Sequence, residues 1–462
     1  MKTPAPLQQD YFSGVIGVAR RDVTPPVGIF SRTWGAATTD RATGVHKPFY
    51  VTALTFQEQP DDPPLVLVAL DGSWWQLQAD EDQFRSGVLS DLGLTPPQLM
   101  INLSHTHAGP PLVLENESKP GGQHIRPYLD HLRRQTTEAI GEALAGAERA
   151  VLTVASGWCD LAVNRDLEDP AGERYLTGYN PTKEADPTVL VGRVTTPEGK
   201  LLATFVNYAC HPTTLAWDNA LLSPDYIGAM RETVEANHPG APCLFFLGAC
   251  GELAPAHQYV GDVAVADHHG QKLGHSACAA LSGMLPPQQA LTYQGPVESG
   301  APLALWLPAE ASAPTAPLQH HHTTVALPIK GDLPSVSELE QQLAASQDPV
   351  LSERLLRKLR KRRSLGDGKN YPVPVWIWRI GRLLVVGSPT ESYSELQVKL
   401  RARYPDFAVL VMNVVNGALG YLPPRELYPL DLYPVWETPF AEGGFELLTD
   451  AVTAMLDELC KA

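Results

Sequence analysis

Short apolar runs and longer amphipathic stretches alternate along this 462-residue chain. That alternation predicts an α/β fold: a mixed or mainly parallel sheet system with flanking helices, in a single large domain over residues 1–462. Two observations carry the prediction. Runs such as L-V-L-V-A-L (65–70), L-M-I-N-L (99–103) and C-L-F-F-L (243–247) are apolar almost throughout, the pattern of strands buried on both faces. Between such runs lie stretches with apolar residues at helical spacing, and 42 prolines and 37 glycines supply the turns that separate the two.

Taken in order, residues 14–20 form a short strand and 22–28 a turn-rich loop, followed by strands over 48–57 and 65–70. The second ends in Asp71-Gly72, where a carboxylate either orients a ligating histidine or caps the next helix. Helical spacing covers 74–91, a strand 99–103 and an amphipathic helix 127–147. Strands over 151–155 and 201–208, a helix over 226–237, a strand over 243–247 and a helix over 264–284 come next. The small-residue loop between the last two, 248–255, either lets backbone approach a ligand or makes a tight connection.

From 285 to 318 the chain is proline- and alanine-rich, which marks a surface excursion, and His320-His321-His322 reads as solvated loop. Residues 335–363 are helical, with a capping box at Ser335 and Glu338, so that about 285–366 forms a proline-rich excursion plus a helical segment. Its basic end, R-L-L-R-K-L-R-K-R-R, is either a solvated helix end or a contact for an anionic partner or substrate. Strands over 373–379, 383–387 and 408–415 and helices over 392–403 and 445–459 complete the chain.

Composition narrows the function. A net charge of -16 disfavours nucleic acid and anionic lipid as general partners. No apolar run is long enough to span a bilayer and the first residues lack a signal-peptide core, so a cytoplasmic protein without a transmembrane segment is expected. The six cysteines show no Cys-x-x-Cys spacing, which argues against a thiolate zinc site and for reduced thiols.

Histidines are the informative residues. His105 and His107 follow the 99–103 strand, and if that strand reaches them the i, i+2 spacing points both rings the same way. Such a pair is the start of a metal site or two hydrogen-bonded histidines at a strand end. His211 ends the 201–208 strand in the same manner, and Glu391 and Tyr421 each sit where a strand breaks into a loop.

In chain order, S-H-T-H-A-G-P (104–110), V-N-R-D (163–166), N-Y-A-C-H-P-T (207–213), L-S-P-D-Y-I-G (222–228), G-S-P-T-E (387–391) and G-A-L-G-Y-L-P-P-R-E-L-Y-P-L-D-L-Y (417–433) resemble the catalytic domain of the neutral/alkaline non-lysosomal ceramidase family. The resemblance runs from about residue 14 to the C-terminus. It implies a catalytic zinc held by His105, His211, Glu391 and Tyr421, with His107, Arg165 and Tyr433 as further active-site residues. It also implies an amidohydrolase that cleaves a linear N-acyl bond by metal-activated water, with His107 moving protons and Arg165 and Tyr433 stabilising the oxyanion.

Two departures bear on the substrate. Ala254 stands where the family has a serine before the proline of this loop, and Pro434 follows Tyr433 where glutamate is usual. The expectation is therefore a zinc amidohydrolase acting on a small-molecule or lipid-like amide other than ceramide. A zinc esterase and a non-catalytic binding protein on the same fold are the alternatives.

Overall fold

The structure, a computed structural model, describes residues 7–172, 174–311 and 317–461. In chain order the principal elements of the first part are β1 (Asp10–Asp22), β2 (Tyr50–Gln57), β3 (Leu65–Leu70), α1 (Gln78–Leu92), β4 (Leu99–Leu103), α2 (Ile125–Ala145), β5 (Glu148–Trp158), β6 (Thr188–Thr195), β7 (Leu201–Tyr208), α3 (Tyr226–Asn237), β8 (Cys243–Leu247) and α4 (Val263–Ser282). The second part adds β9 (Gln289–Glu298), β10 (Pro302–Glu310), β11 (Leu318–Pro328), α5 (Val336–Ala345), α6 (Pro349–Leu365), β12 (Asn370–Ile380), β13 (Leu383–Gly387), β14 (Thr390–Ser392), α7 (Glu395–Arg403), β15 (Ala408–Met412), β16 (Gly420–Leu422), α8 (Tyr433–Glu437) and α9 (Gly444–Lys461).

Among the described residues, eight strands form one sheet in the order β8-β7-β6-β5-β1-β2-β3-β4, and four form a second, β11-β12-β13-β15. Both sheets are mixed. Parallel pairing occurs at β3/β4, β7/β8 and β13/β15, and the other pairs in these sheets are antiparallel, so "mainly parallel" does not describe them. Each parallel pair is joined through a helix (α1, α3 and α7 respectively), because a parallel return needs a crossover.

Alternation along the strands explains the unbroken apolar runs. Leu54 and Phe56 of β2, Leu65 and Leu67 of β3 and Leu152 of β5 share a core with Trp376, Trp378, Val385 and Leu410 of the second sheet. The intervening Val51, Ala53, Val66 and Val68 face Val88, Leu132, Met230 and Leu273 of α1 to α4. On the far side of the second sheet, Val375, Ile377 and Val411 face Leu400 of α7 and Leu448 and Val452 of α9. The result is four layers, helix, sheet, sheet, helix, in which both strand faces are apolar because both are covered. Trp376 and Trp378 are fully buried, and their indole N–H groups donate to Pro96 O and Pro97 O at 2.9 Å. Burying two indoles with their polar atoms satisfied stabilises by roughly 4–6 kcal/mol each, as an upper value.

Several local expectations change. The helix expected over 74–91 begins at Gln78, and Trp75 instead bridges to Leu112 in extended backbone. The helix expected over 335–363 is two, because Asp348 accepts from Val350 N and Leu351 N and Pro349 starts α6 afresh. The capping box at Ser335 and Glu338 is present. The 285–318 excursion forms the β9/β10 hairpin, and its residues 312–316 lie outside the described residues. His320-His321-His322 belong to β11, not to a loop, since pairing them with Trp378, Ile377 and Trp376 completes the hydrogen bonding of β12. All six cysteines are unpaired, and no described helix is long and apolar enough to cross a membrane.

Candidate metal centre

The three parallel pairs run their carboxyl ends toward one place, the position at which open α/β sheets bind ligands. A set of buried asparagines holds those ends in register. Asn102 on β4 donates to Asn413 O at 2.6 Å and accepts from Leu247 N at 2.8 Å, tying the ends of β15 and β8 to its own. Asn207 on β7 donates to Phe246 O and Val411 O, and Asn413 exchanges hydrogen bonds with the backbone of Ser392.

His105, His211 and Glu391 converge at this end, each offering one ligand atom within 4.8 Å of the others. β4 spans the expected Leu99–Leu103 and does not reach the histidines, so strand alternation is not what aims their rings. A left-handed turn at His105 (φ 64°) brings its ring to 5.1 Å from that of His107. Such backbone costs about 1–3 kcal/mol in a non-glycine residue and clusters at functional sites. His211 follows β7, fully buried, with Nδ1 donating to Cys250 O at 2.6 Å, so Nε2 faces the cluster as a lone pair. Glu391 lies on β14, and its register partner on the parallel strand β16 is Tyr421.

The electrostatics of the cluster are unbalanced as it stands. Burial, reinforced by the Arg165 guanidinium, lowers His211 to about 4, so its imidazole is neutral at pH 7. Burial alone pushes Glu391 up, but its contacts with His105 and His211 outweigh burial and hold the carboxyl well below its ordinary 4.5. Glu391 Oε2 is thus an acceptor 3.1 Å from His211 Nε2 and 3.5 Å from His105 Nε2. A buried carboxylate oxygen beside the His211 Nε2 lone pair is an arrangement that a bound cation would stabilise. The spacing fits one: ligands about 2.0–2.1 Å from a tetrahedral zinc lie roughly 3.3 Å apart.

The other expected residues surround this cluster. Arg165 is buried, and its Nη2 lies 2.9 Å from Tyr421 Oη, 2.8 Å from Gly251 O and 3.3 Å from His211 Nε2. Tyr421 stacks on His211, and burial followed by the Glu391 charge pushes its phenol well above 10. Tyr433, at the start of α8, meets Tyr421 edge-on at 5.6 Å. His107 sits between Trp34 and Trp74, and both its ring nitrogens are buried without a hydrogen-bond partner. Burial and the neighbouring histidine and Arg357 charges hold it well below 6.5, hence neutral. An inner cavity of about 50 Å³ touches His105, His107, Glu391 and Tyr421. An outer one of about 470 Å³ shares His107, Tyr421 and Tyr433 with it and extends between Trp34, Trp217 and Tyr259.

Asp71 plays neither expected part. Both its oxygens bind Arg231 Nη2, at 2.9 and 2.8 Å, in a buried ion pair under the sheet end. Trp34, Trp74, Arg357 and Lys361 line the cavities without having been singled out as site residues. The two cations belong to the basic run of α6, which the sequence offered as either a solvated helix end or a contact for an anionic partner or substrate. The tryptophans carried no signal.

With this geometry the fold is recognisable as ceramidase-like. The solved structure titled a ceramidase complexed with C2 matches with a TM-score of 0.68 at 17% identity, covering 96% of this chain and 76% of that one. The neutral ceramidase from Pseudomonas aeruginosa also matches at 0.68 and 17%, covering 97% and 75%. At this identity the likeness establishes a common fold. No family model matches the chain, and no curated protein does.

Proposed function

We propose that the chain is a zinc-dependent hydrolase that cleaves a linear amide, a carbon–nitrogen bond other than a peptide bond, with water as the nucleophile. The observation that carries this reading is the buried Glu391 carboxylate facing the lone pair of a neutral His211, an arrangement that a divalent cation stabilises. A mixed nitrogen and oxygen donor set suits zinc, with His105, His211 and Glu391 as ligands and Tyr421 completing the set. When bound, zinc supplies Lewis acidity toward a carbonyl and lowers the pKa of a water from about 15.7 toward roughly 7.

The chain's own residues supply the rest. Neutral His107, with two unpartnered nitrogens beside the cluster, accepts a proton from the attacking water and returns one to the leaving amine. Arg165 holds the Tyr421 hydroxyl and, with Tyr433, offers positive charge and a donor where the oxyanion develops. Ala254 is buried, with its backbone paired to Val163, and forms no part of either cavity wall, so this chemistry does not draw on a hydroxyl there.

Metal analysis by mass spectrometry tests the reading: about one zinc per chain in the wild type, absent from His211→Ala and Glu391→Ala and retained in Ala254→Ser. Matched amide and ester substrates test the reaction. Ester cleavage with no amide turnover across the panel moves the assignment to an esterase, and bound zinc without turnover of either moves it to a binding protein.

A further inference from the structure

In a chain with a net charge of -16, a band of positive charge lies against the candidate metal centre. Val350, Arg354, Arg357 and Lys361 recur on α6 at spacings of four, three and four residues, which places them on one face, and all four line the two cavities. Arg165, Arg354, Arg357 and Lys361 set four cations against the carboxylates of Glu353, Glu391 and Glu437 in those walls. A bound divalent metal increases the excess.

The two inner cations retain free donors. Arg357 pairs through Nε with Glu353 Oε1 at 3.0 Å and donates from Nη2 to Thr33 O, while Nη1 has no partner among the described residues. Its guanidinium lies 5.5 Å over the Trp74 ring, which packs on both His105 and His107. Lys361 Nζ reaches Glu437 Oε2 at 3.1 Å and Glu437 O at 3.2 Å, leaving its third N–H. Gly420, beside Tyr421, leaves room for that amine: a β-carbon there would lie 3.0 Å from Nζ, and its φ of 94° favours glycine in any case. The small inner cavity thus sets the free donors of Arg357 and Lys361 beside two carboxylates, Glu391 and Glu437, whereas the large outer one is walled by the Trp34, Trp217 and Tyr259 rings.

We propose that Arg357 and Lys361 form an anion subsite and that the substrate is an N-acyl amino acid, its carboxylate in the inner cavity and its acyl chain along the aromatic wall. This rests on the hydrolase reading above and adds the substrate class. Arg357 is then the residue that selects a charged amine half over a neutral one.

The test compares N-octanoylglycine with N-octanoylethanolamine, which differ in carboxylate against hydroxyl. Calorimetry on metal-free protein measures binding independently of turnover. The glycine compound is expected to bind about ten-fold or more tightly, and that preference to fall below about three-fold in Arg357→Gln. Removing Lys361 alone strands a buried Glu437, so the second variant combines Lys361→Met with Glu437→Gln, and the same fall is expected there. No binding of N-octanoylglycine, equal affinities in the wild type, or a preference unchanged in both variants overturns the subsite. Turnover is then measured on zinc-loaded protein. A binding preference with neither compound cleaved leaves the subsite standing and sinks the hydrolase reading. Equal cleavage with equal binding does the reverse.

Discussion

Arg165 brings one terminal nitrogen against Gly251 O, Tyr421 Oη and His211 Nε2, so the position of that nitrogen ties the tyrosine to His211. A lysine in its place keeps the charge but carries it on a shorter, more flexible stem that does not fix a nitrogen at that point. Arg165→Lys is expected to lower kcat by about ten- to a hundred-fold with zinc content unchanged; loss of zinc instead would make Arg165 part of what retains the metal. Asp71 and Arg231 are the counterpart beneath the site, 3% and 7% exposed. Arg231→Met, which strands a buried carboxylate, is expected to cost about 3–5 kcal/mol in urea unfolding. His105 and His211 drew notice in the sequence because each follows an apolar strand run, and the family resemblance added Glu391 to them, whereas the Asp71 partner was not legible, since Arg231 lies on a helix 160 residues away. Trp34 and Trp74 were invisible for a similar reason: they sit in connections, where periodicity carries no signal.

At the scale of elements, strand runs buried on both faces were read almost to the residue: 65–70, 99–103, 201–208 and 243–247 are strands with those bounds. Elements whose ends depend on a turn were not, as the break at Asp348 between α5 and α6 shows. The 248–255 connection offers a pH test. Glu252, within it, accepts from Ser394 N at 3.0 Å and from Ser394 Oγ, and burial pushes its carboxyl from an ordinary 4.5 to about 7. Between those values the folded chain holds a proton that the unfolded chain releases. The stability contributed is therefore complete below about pH 4.5 and is lost as pH rises through about 7. Denaturation midpoints of wild type against Glu252→Gln, followed from pH 4 to 8, should diverge over that window, with the wild type falling; parallel curves refute the shift.

Across the whole molecule the two sheets are joined by asparagines as well as by apolar packing. Asn102→Ala would leave Asn413 O and Leu247 N buried without partners, at a cost of about 2–5 kcal/mol, and would displace the strand ends that carry the ligands. Lower zinc affinity together with a lower unfolding midpoint is expected; lower stability with unchanged affinity would confine Asn102 to structure. Zinc at about a hundred times its dissociation constant should stabilise the wild type by about 2.7 kcal/mol and leave His211→Ala unmoved. The layer order itself was not legible, because an apolar run shows that a strand is covered on both faces and not which element covers it.

Asn102 and Asn413 are 311 residues apart, and His211 and Glu391 are 180 apart. A nascent chain emerging from the ribosome therefore exposes both histidines long before the glutamate exists, and the shelf that aims all three forms only when the second sheet docks on the first. On the proposed metal reading, cation capture is a late event in biogenesis, governed by a finished shape and not by the order in which ligands appear during synthesis.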